Sequence, residues 1–184
     1  MTFAHDTNDA LQGAAALVNT LPQCSPGGED DLTSVPALAD YVASWMWTGR
    51  VDSDEAELTE VRALRPRLRE LWLAAPDAAR VAALVNELLR SGDAAPQLVT
   101  HGDYGWHIHA TERDAPIAQR MQVEAAMAFV DVVRSDELDR IRICAADDCE
   151  GVVVDLSRNR SRRYCDSGCG NRLAAAAYRA RQGD

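Results

Sequence analysis

Cys144 and Cys149 are separated by four residues, Cys165 and Cys169 by three, and fifteen residues lie between the two pairs. Close cysteine pairs set about 15–20 residues apart have the spacing of a structural zinc site, because each pair can turn both sulfurs inward from one tight turn. Zn²⁺ takes four ligands at the corners of a tetrahedron, and four thiolates fill every corner. No position is left for water or a substrate. The chemistry implied is therefore the folding of a small module around a metal, and no enzyme is expected.

Sulfurs converge only if the chain around them turns back on itself. Between the pairs, Val152-Val153-Val154 is a β-branched run, Ser157-Arg158-Asn159 is polar turn material, and Arg160-Ser161-Arg162-Arg163-Tyr164 follows. That pattern predicts a short hairpin lying between the pairs. The first pair would form a turn of its own. Asp166 or Ser167 can cap a helix running through Leu173, alanines 174–177, Tyr178 and Arg181. Cys169 then falls in the first helical turn, where exposed N–H groups and the positive dipole end favour a thiolate. Turn, hairpin and helix in that order make a treble-clef-like zinc finger.

The string Asp155-x-Ser157-Arg158-Asn159-x3-Arg163-Tyr164-Cys165, followed by Cys169-Gly170-Asn171-Arg172 and Tyr178-Arg179-x-Arg181, resembles the CGNR zinc finger. In that family the finger ends a chain whose larger N-terminal part is the ABATE domain, and the proteins are described as stress-induced transcriptional regulators. Ala16-Leu17-Val18-Asn19-Thr20-Leu21 resembles the motif that opens the ABATE part. The resemblance implies DNA or RNA as partner. The side chains expected to contact it are Arg158, Arg160, Arg162, Arg163, Asn171, Arg172, Arg179 and Arg181. Two departures stand out: Tyr164 replaces a frequent tryptophan, and Leu173 with its alanines stands where a lysine is common.

Charge is distributed unevenly. Residues 1–133 hold nine arginines against twenty acids, whereas residues 156–182 hold seven arginines against Asp166 alone, within a chain of net charge −10. Such asymmetry suggests a basic module for an anionic partner, carried by a domain that would repel it. The competing reading is that four thiolates on Zn²⁺ leave two negative charges, which Arg162, Arg163 and Arg172 neutralise. Every basic side chain is arginine. The first residues carry neither a basic stretch nor an apolar run, which predicts no signal peptide, and no segment has the length of a membrane span. A cytoplasmic setting follows, in which paired cysteines are metal ligands and Cys24 is a plain buried or loop thiol.

The N-terminal part has a helical rhythm. Helices are expected over residues 9–21, from Ser34-Val35-Pro36 to Trp47, from the acids 52–55 with a kink or break at Pro66, over 76–91, and over 114–133. Pro22, Pro26, Gly27-Gly28 and Glu29-Asp30-Asp31 mark a loop. Arg62, Arg65, Arg67 and Arg69 read as a solvated helix face. Leu98-Val99-Thr100, the turn His101-Gly102-Asp103-Tyr104-Gly105, and Trp106-His107-Ile108-His109 predict a β-hairpin. Alternation puts His107 and His109 on one face. Two histidines so spaced can share a metal, but with no third ligand nearby in sequence the expectation is a solvated strand face.

The fold expected is mainly α with a small β component: an ABATE-like helical domain with one hairpin over residues 1–136, and a treble-clef-like finger over 137–184. The first functional reading is a zinc-dependent, nucleic-acid-binding transcriptional regulator whose acidic domain senses a ligand or a protein partner. Base readout would ask for a second subunit, hence a homodimer. The alternative is a protein-interaction module in which the finger is a structural cap. A basic finger face left exposed favours the first reading, and one buried on the helical domain the second.

Overall fold

The computed structural model describes residues 3–25, 27–45, 47–100 and 105–182. Pro26 of the Pro/Gly loop and His101, Gly102, Asp103 and Tyr104 of the hairpin turn lie outside the described residues. Six α-helices and two two-stranded antiparallel ribbons appear among the described residues.

Local chemistry fixes the helix starts. Helix α1 covers His5–Val18, earlier than the apolar rhythm alone suggested, because the Ala4 carbonyl already accepts from Asn8 N–H at 3.1 Å. Helix α2, Val35–Ser44, begins where Ser34 accepts a bond from Ala37 N–H at 3.3 Å. Helix α3, Glu55–Ala74, starts with a reciprocal cap: Asp54 accepts from Glu57 N–H at 2.8 Å, while the Glu57 carboxylate accepts from the N–H groups of Asp52 and Ser53 at 2.9 and 2.8 Å. Asp77 caps helix α4, Ala78–Ser91, by accepting from Arg80 N–H.

Helix α3 runs unbroken through Pro66, so of the kink or break expected there the break does not occur. Proline removes the N–H that would bond the Arg62 carbonyl. Arg65 Nε donates to that carbonyl instead, at 3.4 Å. The arginine run is a solvated face only in part: Arg62 and Arg67 are exposed, Arg65 and Arg69 are not. Arg65 is buried and donates to both Asp30 oxygens at 2.7 and 2.8 Å and to Thr20, Arg62 joins the same carboxylate, and Arg69 pairs with Glu150 at 2.8 Å. These ties hold the acidic loop to α3, and Arg65 keeps the Asp30 carboxyl down at about 2.

Helix α5, Ile117–Arg134, is the centre of the core. It packs against α1, α3 and α4, and Phe129 meets Trp72 of α3 edge-on at 5.1 Å. Strands β1, Gln97–Thr100, and β2, Trp106–His109, form the expected hairpin, with Leu98 opposite Ile108 and Val99 opposite His107. Its faces are reversed. Trp106 is 71% and Ile108 47% exposed, whereas His107 is 8% exposed, so the histidine face is not the solvated one.

The second ribbon pairs β3, Ile141–Ile143, with β4, Val152–Val154. The hairpin expected between the cysteine pairs is thus corrected: β4 turns back onto the strand before the first pair, and residues 157–164 form no strand. Asp155 is the reason. Fully buried, it accepts from Ser157 N–H, Ser157 Oγ and Arg162 N–H at 3.0, 2.5 and 2.9 Å, which holds this segment as a loop. Helix α6, Cys169–Gln182, ends the described chain.

Candidate metal centre

The period-two geometry of β4 places it between two interiors. Val152 and Val154 point into the helical core beside Ile141, while Val153 points into a separate cluster with Cys144, Ala146, Cys165 and Cys169. The helical domain grips the strand through its backbone. Asn19, at the C-terminus of α1, donates to the Val152 carbonyl at 3.0 Å and accepts from Val152 N–H at 2.7 Å, and Trp72 Nε1 donates to the Val153 carbonyl at 3.1 Å. Cys24 is fully buried, as a plain thiol should be, with its sulfur 3.3 Å from the Glu150 carbonyl.

On the other side of β4 the four sulfurs converge. One atom from each of Cys144, Cys149, Cys165 and Cys169 lies within 4.8 Å of all the others. Cys149 and Cys165 are 3.6 Å apart, Cys165 and Cys169 3.7 Å. Sulfurs on one tetrahedral ion, each bonded at about 2.3 Å, would stand about 3.8 Å from each other. The donor set and its spacing fit a metal of the zinc type. Cys144 and Cys149 come from the loop closing the β3–β4 ribbon, and Cys165 and Cys169 from the approach and first turn of α6.

The surroundings suit thiolates. Gly151 N–H donates to Cys149 Sγ at 3.3 Å and Cys165 N–H to Cys144 Sγ at 3.5 Å. A Cβ on Gly151 would stand 3.1 and 3.2 Å from the Cys165 and Cys149 sulfurs, so a side chain there would crowd the cluster. Gly168, at φ +81°, gives the chain the left-handed turn that brings Cys169 round. Burial pushes the Cys149 and Cys165 thiols up, whereas backbone N–H groups of Cys165 and Ala146 outweigh burial at Cys144 and bring it down. For all four to serve as thiolates so close together, a cation among them would have to offset burial and their mutual repulsion.

The basic side chains fall into two groups. Arg160 pairs with Glu137 and Asp139 at 2.8 and 2.6 Å, Arg162 with Asp166, and Arg172 with both Asp148 oxygens at 2.6 Å. Arg172 also reaches Cys169 Sγ at 3.7 Å, so it alone of the three arginines expected to neutralise the thiolates touches one. Arg158, Arg163, Arg179 and Arg181 make no ion pair among the described residues, and Arg163 lies 6.0 Å from the Tyr164 ring. They are exposed, as is Asn171. Helix α6 stands clear of the body: Cys169 is its one buried residue, and Tyr178 is 57% exposed.

Sequence reasoning missed Asn19, Trp72 and Asp155. The first lies in the opening motif and the last in the string before Cys165, so their positions were legible while their backbone partners were not. The model of the CGNR zinc finger matches residues 140–182, and that of ABATE, described as "Putative stress-induced transcription regulator", matches residues 13–136. No curated protein matches the chain. Among the described residues, no helix is long and apolar enough to cross a membrane.

Proposed function

The chain belongs to the ABATE family and carries a CGNR zinc finger at its C-terminal end, and on that premise we propose that it is a zinc-dependent transcriptional regulator whose finger contacts nucleic acid. Cys144, Cys149, Cys165 and Cys169 hold one Zn²⁺ in a closed shell. The ion anchors α6, and α6 with its flanking loop meets the nucleic acid. The observation that carries this reading is the exposure of α6. A helix bound for the helical domain would bury an apolar stripe there, whereas this one leaves alanines 174–177, Arg179 and Arg181 in solvent. A B-DNA major groove about 12 Å wide admits an α-helix, and a face of alanines lets the backbone approach closely.

Within this reading the eight expected contacts divide. Arg158, Arg163, Arg179 and Arg181 have no acidic partner among the described residues to give up and meet phosphates directly. Arg160, Arg162 and Arg172 are tied to carboxylates and shape the finger, and Asn171 orients the helix start. Two fingers in a homodimer would supply base readout across a two-fold site. The acidic helical domain answers to a small ligand or a protein partner; a groove of about 370 Å³ bounded by Arg67, Asp93, Gln119 and Gln122 supports the first. The setting is the cytoplasm. No part of this reading requires catalysis.

The second reading, a protein-interaction module with the finger as structural cap, is supported by the same three ion-paired arginines, since three of the finger's seven arginines are already neutralised within the chain. Fluorescence anisotropy with duplex DNA and with single-stranded RNA across a salt series separates the two. The wild type should bind with steep salt dependence. The Arg179→Ala/Arg181→Ala variant should keep its zinc and flatten the log–log salt slope by about 1.8, or about 0.9 per phosphate contact. Absence of salt-dependent binding to either nucleic acid would replace this reading with the interaction module.

A further inference from the structure

We propose that His107 and His109 on β2 form a second metal site, separate from the four cysteines, that takes a divalent transition metal of the imidazole-preferring kind such as Ni²⁺, Cu²⁺ or Zn²⁺. The starting observation is the reversed hairpin. Trp106 and Ile108 lie in solvent at 71% and 47% exposure, while His107 between them is 8% exposed. Hydrophobic burial alone would turn the ribbon over. Departures from local pattern concentrate at functional sites, where a specific interaction of the buried groups offsets the loss.

The two rings converge at their edges. His107 Nε2 and His109 Nε2 are 3.1 Å apart, while the ring centroids are 4.9 Å apart and the planes tilted by 59°. Two imidazole nitrogens bound to one ion at roughly 2.0–2.1 Å each stand about 2.9–3.4 Å apart for angles between a right angle and the tetrahedral value. The observed separation lies inside that range. His107 Nδ1 is 3.0 Å from the Gly105 carbonyl oxygen. A carbonyl can only accept, so Nδ1 carries the proton and the ring's lone pair is on Nε2, turned toward His109. A backbone carbonyl fixing the tautomer in this way is the usual support of a metal-bound histidine.

The ladder holds both rings in place, with Val99 opposite His107, Gln97 opposite His109, and Ala95 N–H bonded to the Ala110 carbonyl at 2.8 Å just beyond. Without metal, the same separation suits an N–H···N bond from His109 to His107. Binding then releases the His109 Nε2 proton. The strongly acidic N-terminal part draws cations toward the site.

The full-length protein, its cysteine site filled with zinc, is titrated with Ni²⁺ by calorimetry near neutral pH, and with Cu²⁺ under electron paramagnetic resonance. One further Ni²⁺ per chain should bind without releasing zinc, and the copper spectrum of the wild type should show coupling to two imidazole nitrogens. His107→Ala and His109→Ala should each abolish the extra equivalent with zinc content unchanged, and His5→Ala should retain it. The wild-type spectrum does not depend on how the variants fold. A wild type that takes up no further Ni²⁺, an extra equivalent that survives in His107→Ala, or a copper spectrum with fewer than two nitrogens would leave the pair as an ordinary hydrogen bond.

Discussion

The two halves of this molecule close their interiors by different means. In the helical part Leu11, Leu68, Trp72, Phe129 and their neighbours form one continuous apolar core. Around the cysteines the buried cluster is Cys144, Ala146, Val153, Cys165 and Cys169, edged by Cys149, Tyr164 and Leu173. The first buries enough apolar surface to offset the entropy of ordering its chain, at about 25 cal/mol per Å². The second cannot do so with a few small side chains, and an ion among the sulfurs is what would hold it. Strand β4 serves both, and its alternate residues show where one mode of stabilisation gives way to the other.

Removing the metal should break the contrast most sharply. Zinc stripped by a chelator, or Cys165→Ser, takes away a contribution of about 10–16 kcal/mol that the helical core never used. Hydrogen exchange should then show protection lost in the loop 144–151, in residues 157–168 and in α6. It should persist in α1–α5 and in β3 and β4, because Ile141, Val152 and Val154 belong to the helical core. Simultaneous loss of protection in both halves would mean that they are one cooperative unit.

A smaller effect belongs to the helical side alone. Glu124 of α5 faces a small pocket lined by Ala10, Ala14, Tyr41 and Trp47, and burial pushes its carboxyl from an ordinary 4.5 up to about 7. Arg120 partly opposes that rise and Asp6 adds to it; burial pushes the neighbouring Tyr41 phenol up as well. A carboxyl raised in the folded state stabilises it fully below the unfolded value, and that contribution is lost as pH rises through about 7. Glu124→Gln should therefore match the wild type near pH 4 and exceed it near pH 8, by about 3 kcal/mol at most, in urea unfolding followed by circular dichroism. Equal pH slopes for the two proteins would show that the carboxyl is not confined.

The smallest expected change tests the seam. Asn19→Ala leaves Val152 without partners for both its N–H and its carbonyl. The cost should be about 2 kcal/mol, as expected for buried polar groups left unpaired. It should appear as faster hydrogen exchange at β4 with zinc affinity little changed. A large loss of zinc affinity would instead mean that the helical domain preorganises the cysteines.

The sequence by itself determined the metal-type cysteine set, because four ligands in two close pairs are legible from spacing, and it determined the helices, because their caps and apolar periods are local properties. It also marked the last helix, through its run of alanines, but left open whether that helix is exposed or buried on the helical domain. Only the tertiary structure decided which strand β4 pairs with, since three valines suit either neighbour and the buried Asp155 settles the choice through contacts across the loop. The same holds for Arg62, Arg65 and Arg69 of α3, whose partners Asp30 and Glu150 lie far along the chain, and a charge run looks solvated until those partners are in place. The inverted β1–β2 ribbon is the extreme case: alternation defines two faces, but which one is covered depends on what the rest of the fold lays against it.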